Sequence, residues 1–100
     1  QHGLKLLARN YRTPGRGGGE IDLVMRERDG TVVFVEVRQR QSADFGGAGA
    51  SISSAKQRRI ILAARHYLAA QTVLPACRFD AVLVHSHIEW LRAAFDASAD

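Results

Sequence analysis

The 100-residue chain contains one cysteine, two prolines and one tryptophan, and it has no apolar run long enough to cross a membrane. Its only cysteine, Cys77, cannot form an internal disulfide, which excludes a disulfide scaffold and favours a reducing compartment. No signal segment, basic and then apolar, opens the sequence. We therefore expect one small globular domain over residues 1–100, located in the cytoplasm, with no membrane partner.

The charge of the chain is unevenly distributed. Residues 1–79 carry 13 basic and six acidic side chains, a net charge of +7, whereas residues 80–100 carry one basic and four acidic side chains. Twelve of the 14 basic residues are arginines, which contact phosphate and carboxylate groups in bidentate fashion. The basic segment indicates a polyanionic partner such as nucleic acid, and a solvated basic surface is the alternative.

Hydrophobic periodicity and turn signals predict the element order β-β-β-α-β-β. The predicted strands cover residues 4–12, 20–26, 31–38, 79–84 and 88–91, and the predicted helix covers residues 54–70. Ser53 is a suitable N-cap, and the apolar residues of the helix form one stripe. The expected fold is α/β (α+β), with a mixed β-sheet of about four to five strands and a helix packed on it.

Three acidic residues, Glu20, Asp22 and Glu36, interrupt strands whose other residues favour burial. An unpaired carboxylate near a core is costly, so each needs a cation, a hydrogen-bond partner or a proton. Alternation along a strand places Glu20 and Asp22 on one face, and it likewise places Glu36 and Arg38 on one face. Whether these two faces coincide depends on the register of the hairpin between the two strands.

The turn of this hairpin allows two registers. A two-residue loop at Asp29 and Gly30 would set Asp22 opposite Val37 and leave Glu36 on the other face. A three-residue loop over residues 28–30 sets Asp22 directly opposite Glu36, with Cβ atoms about 4.5–5.5 Å apart. Glycine suits the left-handed third position of such a loop, so we favour the second register.

Two carboxylates at that distance repel each other unless a divalent cation lies between them or one of them is protonated. Mg²⁺ or Mn²⁺ suits a site whose ligands are all oxygen atoms. A network of ion pairs between Asp22, Glu36 and either Arg38 or Arg40 is the alternative interpretation.

Several motifs together resemble the YraN family, a group of small uncharacterised bacterial proteins in the restriction-endonuclease-like superfamily. The matching segments are residues 19–23 (GEIDL), 34–40 (FVEVRQR), 56–60 (KQRRI) and 78–80 (RFD), with shorter matches at 10–12 (NYR) and 94–95 (AF). The resemblance implies an αβββαβ core like that of archaeal Holliday-junction resolvases. It covers nearly the whole chain and implies that the first helix of the domain lies outside it.

The resemblance also implies the PD-(D/E)XK site of this superfamily, in which Asp22 and Glu36 match the acidic residues and Arg38 occupies the lysine position. Asp22, Glu36 and the carbonyl of Val37 would hold the metal, with Glu20 as a further candidate ligand. Arg38 would neutralise charge at the scissile phosphate but is a poor general base. Five basic residues are expected to hold the nucleic-acid backbone: Arg12, Arg40, Lys56, Arg58 and Arg59.

The leading hypothesis is a DNA-binding protein that cuts phosphodiester bonds in branched or structured DNA with Mg²⁺ or Mn²⁺, by analogy as a homodimer. The alternative is a non-catalytic nucleic-acid-binding or adaptor domain that kept the nuclease fold. A third interpretation is an arginine-rich module that binds an acidic protein.

Three further residue types have simpler interpretations. Asp80 is expected to form a local salt bridge with Arg78 or with a helix arginine. His85 and His87 share a strand face and could bind a metal together, but two ligands make a weak site, so we favour a solvent-exposed pair. Cys77 lies in no motif that promotes a thiolate, and we expect it to be partly buried.

Overall fold

The described part of the chain folds into five strands and one helix, in the order that the sequence predicts. A computed structural model describes residues 3–15, 17–39 and 52–97. The elements are β1 (Lys5–Arg12), β2 (Glu20–Arg26), β3 (Val32–Gln39), α1 (Ser54–Ala69), β4 (Cys77–Val84) and β5 (Ile88–Phe95). Within these residues, no helix has the length and apolar character that crossing a membrane requires.

The five strands form one sheet with the spatial order β1-β2-β3-β4-β5. Neighbouring strands are antiparallel except β3 and β4, which are parallel and lie on either side of α1 in the sequence. Parallel neighbours need a long crossover connection, which includes the helix here. The expected mixed sheet with a helix packed on it is thus confirmed.

The hairpin between β2 and β3 has the three-residue loop that the glycine position favours. The Glu27 N–H donates to the Thr31 carbonyl at 2.8 Å, and Gly30 has a φ of 95°. Leu23 pairs with Val35, and this register continues through the other pairs of the hairpin. The same register sets Asp22 opposite Glu36, since side chains directly opposite share one face of the sheet.

Helix α1 packs closely against the beginning of β2. Its N-cap is Ser53, whose hydroxyl accepts from the Lys56 N–H at 3.1 Å, as the sequence predicts. A Cβ atom added at Gly19 would lie 2.6 Å from the Ala63 nitrogen and closer still to the Arg59 carbonyl oxygen. Only glycine therefore permits this approach, which brings the first two turns of the helix beside the acidic start of β2.

The sheet buries apolar side chains on both faces. Phe34 and Ile60 belong to the cluster between the sheet and α1, whereas Val33 and Val35 belong to a cluster on the opposite face. Because side chains alternate along β3, Glu36 lies on the same face as Phe34, toward α1. This acid therefore lies at the edge of the main core.

The last two strands are longer than predicted. Strand β4 begins at Cys77, and β5 continues to Phe95, whose ring stacks on that of Phe79 with centroids 4.9 Å apart. The β4–β5 register shifts between Phe79 and Ala81, where β5 carries the extra residues, and one of these, Ala93 (φ 50°), is left-handed. The segment after Leu91 lacks β-branched residues, so its strand conformation depends on this cross-strand ring contact. Cys77, expected to be partly buried, is exposed at the strand start, although partial desolvation raises the pKa of its thiol.

Candidate functional site

The backbone pairing of β2 with β3 ends at Leu23 and Val35, and Asp22 lies at the point where it ends. Hydrogen-bonded pairs alternate along an antiparallel ladder, so a continuation would bond the Val37 N–H to the Ile21 carbonyl. The Val37 N–H donates to Oδ2 of Asp22, at 2.8 Å. A side-chain carboxylate thus takes the acceptor position that the next main-chain carbonyl would otherwise occupy.

The Val37 carbonyl points toward the same place. In an extended strand the N–H and C=O of one residue face the same neighbouring strand, and the Val37 N–H faces Asp22. The carboxylate of Glu36 lies on the helix side of the sheet beside that of Asp22, close enough for a hydrogen bond between them. The structure therefore brings the three candidate metal-binding groups together at the end of the β2–β3 ladder.

Of the two carboxyl groups, that of Glu36 is the one whose charged form the surroundings disfavour. Its exposed fraction is 7 %, and burial together with the charge of Asp22 raises its pKa to about 7. A hydrogen bond with Asp22 adds to this increase in the pKa, whereas the nearby ammonium group of Lys56 lowers the pKa only in part. Near neutral pH, Glu36 is therefore partly protonated unless a further cation stabilises its charged form.

Lys56 connects two acidic residues from the first turn of α1. Its Nζ lies 3.2 Å from Oε2 of Glu20 and 3.5 Å from Oε2 of Glu36. The hydrogen bond from Lys56 is the main cause that lowers the pKa of Glu20. One ammonium group thus lies near two carboxylates. It is closer to Glu20 than to Glu36, so it compensates the negative charge of Glu36 less.

Two predicted nucleic-acid-binding arginines also converge on Glu20. Nη2 of Arg59 lies 3.3 Å and Nη1 of Arg12 lies 3.7 Å from Oε1 of Glu20. The side chains of Arg12 and Arg59 remain 71 % and 48 % exposed, so both can contact another molecule as well. Glu20, a possible further metal ligand or a strand-start acid in the sequence analysis, pairs with three basic side chains of the chain.

Of the three remaining predicted residues, the structure describes Arg38 and Arg58. Arg38 lies two residues after Glu36, on the same face of β3. Arg58 is exposed on α1, where it lines a shallow groove with Arg65. Arg40 lies outside the described residues. The basic side chains that helix α1 places beside the acidic residues are therefore Lys56, near Glu36 and Glu20, and Arg59, near Glu20.

The donor set at the end of the ladder fits a hard divalent cation. Mg²⁺ and Mn²⁺ prefer oxygen ligands, and the available groups are two carboxylates and one main-chain carbonyl. The raised pKa of Glu36 shows that the second carboxylate is not fully compensated by the chain. Asp22, Glu36 and Val37 are thus the residues that would hold the cation.

The sequence does not reveal that Lys56 contacts the carboxylates. The sequence contains only two lysines, and Lys56 lies in the first turn of the helix that follows β3. This position is the one signal that could have suggested the contact. Lys56 and Glu20 are far apart in the sequence, so the contact cannot be read from it. The two side chains meet because α1 packs against the backbone at Gly19.

Asp80, the second buried acid among the described residues, belongs to another network. It forms the expected salt bridge with Arg78, at 3.0 Å, and it also accepts from the Trp90 indole N–H at 2.8 Å and the Ala93 N–H at 2.9 Å. Arg78 pairs in addition with Glu27. Asp80 lies on the opposite face of the sheet from Glu36, as alternation from Ala81, the parallel partner of Glu36, requires.

Comparison with known proteins adds a family to this geometry. A family model described as uncharacterised protein family UPF0102 matches residues 1–84. A UPF0102 protein of Paracidovorax citrulli is 70% identical over 96 residues, which cover 95% of this chain and 71% of the relative. A UPF0102 protein of Polaromonas naphthalenivorans is 68% identical over 106 residues, which cover 96% of this chain and 69% of the relative. The chain therefore belongs to the UPF0102 family, which is the YraN family that its motifs resemble.

Proposed function

We propose that this chain binds DNA and hydrolyses phosphodiester bonds in branched or structured DNA with the help of Mg²⁺ or Mn²⁺. The observation that carries the proposal is the pair of carboxylates, Asp22 and Glu36, at the point where β2 leaves β3. Burial and the neighbouring charge of Asp22 raise the pKa of Glu36 to about 7, which favours a divalent cation at this pair over a purely structural role.

Asp22, Glu36 and the carbonyl of Val37 would hold this cation. When bound, it supplies a water of lowered pKa and a positive charge beside the phosphate. Such a cation would favour the ionised form of Glu36, which burial and the charge of Asp22 otherwise oppose.

The basic side chains around the pair hold the substrate. Lys56 orients Glu36 through its ammonium group, at 3.5 Å, and places a positive charge beside the carboxylates. Arg38, on the same face, stabilises the negative charge that develops on the phosphate oxygens. Neither side chain has to give up a proton for these roles.

The DNA backbone lies along the exposed arginines in this proposal. Arg12 and Arg59, which pair with Glu20, and Arg58, which is exposed on α1, supply these contacts in the segment with a net charge of +7. Arg40 extends this set as a prediction from the sequence. A single cysteine agrees with a cytoplasmic location, and a homodimer would present two such centres to a two-fold DNA junction.

Cleavage and binding can be tested on the same DNA substrates. Branched, duplex and single-stranded DNA are incubated with the protein and Mg²⁺ or Mn²⁺, and cleavage is followed on denaturing gels. Asp22→Asn and Glu36→Gln should each reduce cleavage by at least about 100-fold, because each removes one charged ligand. Asp29→Asn is the matched control: Asp29 caps the hairpin loop by accepting from the Thr31 N–H, which asparagine can also do.

Binding without cleavage is measured from the salt dependence of the affinity. Each phosphate contact contributes a slope of about −0.9 to the logarithm of affinity against that of salt concentration. Arg58→Ala should therefore reduce the magnitude of this slope by about 0.9, the contribution of one phosphate contact. Salt-dependent binding with no cleavage would replace the nuclease with the adaptor function, and no binding at low salt would overturn both.

A further inference from the structure

We propose that His85, His87 and Glu89 form a binding site for a divalent transition-metal ion, with Zn²⁺ as the reference ligand. These residues lie at the connection between β4 and β5, and none of them belongs to the carboxylate pair. Their ligand atoms all lie within 4.8 Å of one another. Two imidazoles and one carboxylate are a donor set that zinc accepts with a water in the fourth position.

The tight turn brings the three side chains together. The His85 N–H donates to the His87 carbonyl at 3.0 Å, which reverses the chain within three residues. The imidazole rings of His85 and His87 have centroids 4.2 Å apart and an interplanar angle of 71°. Nε2 of His85 lies 3.8 Å from Oε1 of Glu89, so the carboxylate faces the imidazole pair.

Only small side-chain movements are needed to bind a metal. Bond lengths of about 2.0–2.2 Å place neighbouring ligand atoms of a tetrahedral zinc site roughly 3.3–3.5 Å apart. The present separations, up to 4.8 Å, thus exceed the required ones by little more than 1 Å. His87 and Glu89 are exposed, so rotation of their side chains can close this difference without repacking a core.

One contact already orients an imidazole for this role. Oγ of Ser86 lies 3.3 Å from Nδ1 of His87. Metal-binding histidines commonly donate their second ring N–H to such an oxygen, which leaves the other nitrogen free to bind the metal. Ser86 is suited to hold His87 with Nε2 directed toward the metal.

The composition of the site separates it from the carboxylate pair. Imidazole nitrogens favour zinc, nickel and copper, whereas Asp22, Glu36 and the Val37 carbonyl favour magnesium and manganese. Glu89 pairs with Leu83 across the β4–β5 ladder, and Leu83 pairs with Arg38 across the β3–β4 ladder. The two sites thus share one face of the sheet but no ligand.

Zinc binding is measured by calorimetric titration of the full chain without a histidine tag. Replacing an outer-sphere partner of a metal site weakens affinity about 10–100-fold, so His87→Ala and Glu89→Gln, which remove direct ligands, should each weaken it at least about tenfold. His66→Ala removes an imidazole outside the cluster, and Asp22→Asn removes a ligand of the other site. Both controls should bind one equivalent of zinc as the wild type does.

Two results would overturn this site: wild-type zinc affinity in His87→Ala, or an equal loss of affinity in His66→Ala. Cobalt(II) absorption provides a second measurement, since a tetrahedral nitrogen and oxygen site produces visible bands that His87→Ala should abolish. The melting temperature without metal checks the fold of each variant. Because both replaced ligands are exposed, we expect that temperature to change little.

Discussion

Two buried acids, Asp80 and Glu36, lie on neighbouring strands and face opposite sides of the sheet. They differ in how far the surrounding groups compensate their negative charge. Asp80 is fully buried and accepts hydrogen bonds from a guanidinium, an indole and a main-chain N–H. Glu36 is 7 % exposed, lies beside a second carboxylate and shares one ammonium group with Glu20. The chain compensates the first charge completely and the second only in part.

We propose that this difference separates a structural acid, Asp80, from a functional one, Glu36. A buried charge whose donors all come from the fold stabilises a particular arrangement of strands, because every polar group of the network has a partner. A buried charge that faces a like charge keeps a site where an external cation gains free energy on binding. The four experiments below test this distinction, in order of decreasing expected effect.

Asp80→Ala should have the largest effect on stability. The substitution removes the acceptor that the Arg78 guanidinium, the Trp90 indole N–H and the Ala93 N–H share, and Asp80 is fully buried. Arg78 keeps its ion pair with Glu27. Breaking a buried charge network from one side costs about 3–5 kcal/mol. We expect the free energy of unfolding, measured by urea denaturation, to fall by that amount.

Asp80→Asn serves as the companion variant, because the amide keeps an acceptor of the same shape and should lose less stability. A change of less than about 1 kcal/mol in Asp80→Ala, typical of an exposed substitution, would show that the network does not support the fold.

Glu36→Gln should act in the opposite direction. At pH 8 the wild type must ionise Glu36 beside Asp22, at a cost that the raised pKa already expresses with Lys56 included. The neutral amide removes this cost, so the variant should be more stable by about 1–3 kcal/mol without metal, while its affinity for Mn²⁺ falls at least about tenfold. Urea denaturation and calorimetry measure the two effects. A Glu36→Gln variant less stable than the wild type at pH 8 would assign Glu36 to the structural class of Asp80.

The pH dependence of stability should carry the signature of Glu36. Its pKa rises from an ordinary value near 4.5 to about 7 on folding, so between these values the native state binds more protons than the unfolded state. Stability contributed by this group is therefore lost as the pH rises from 4.5 to 7 and changes no further above 7. The difference between wild type and Glu36→Gln should follow this course in urea titrations at successive pH values. A difference that is constant from pH 4 to pH 8 would contradict the raised pKa.

Lys56→Gln should produce the smallest of the four effects. Because the ammonium group lowers the pKa of Glu36, its removal should raise that pKa further above about 7. The pKa of Glu20, lowered mainly by the hydrogen bond from Lys56, should rise as well. Carboxyl ¹³C chemical shifts followed by NMR report both titrations. Lys5→Gln, which replaces the other lysine of the chain on β1, is the matched control and should leave both values unchanged.

Much of the fold follows from local patterns, and the exceptions have identifiable causes. The register of the β2–β3 hairpin is predicted because Gly30 suits the left-handed third position of its loop. The extent of β5 is not predicted, because it depends on the ring of Phe95 reaching Phe79 on another strand. His85 and His87 are recognised as a pair, but the geometry of the turn that brings Glu89 beside them is not predicted from the sequence.

The sequence alone determines the order of strands and helix, the loop that sets Asp22 opposite Glu36, and the position of the basic segment. These properties depend on periodicity, turn geometry and composition, which act over a few neighbouring residues. Only the tertiary structure decides that Lys56 serves both Glu20 and Glu36, because that contact requires α1 to dock at Gly19. It also decides that hydrogen-bond donors compensate the charge of Asp80 fully and the charge of Glu36 only in part. The stability of a buried charge depends on groups that are distant in the chain.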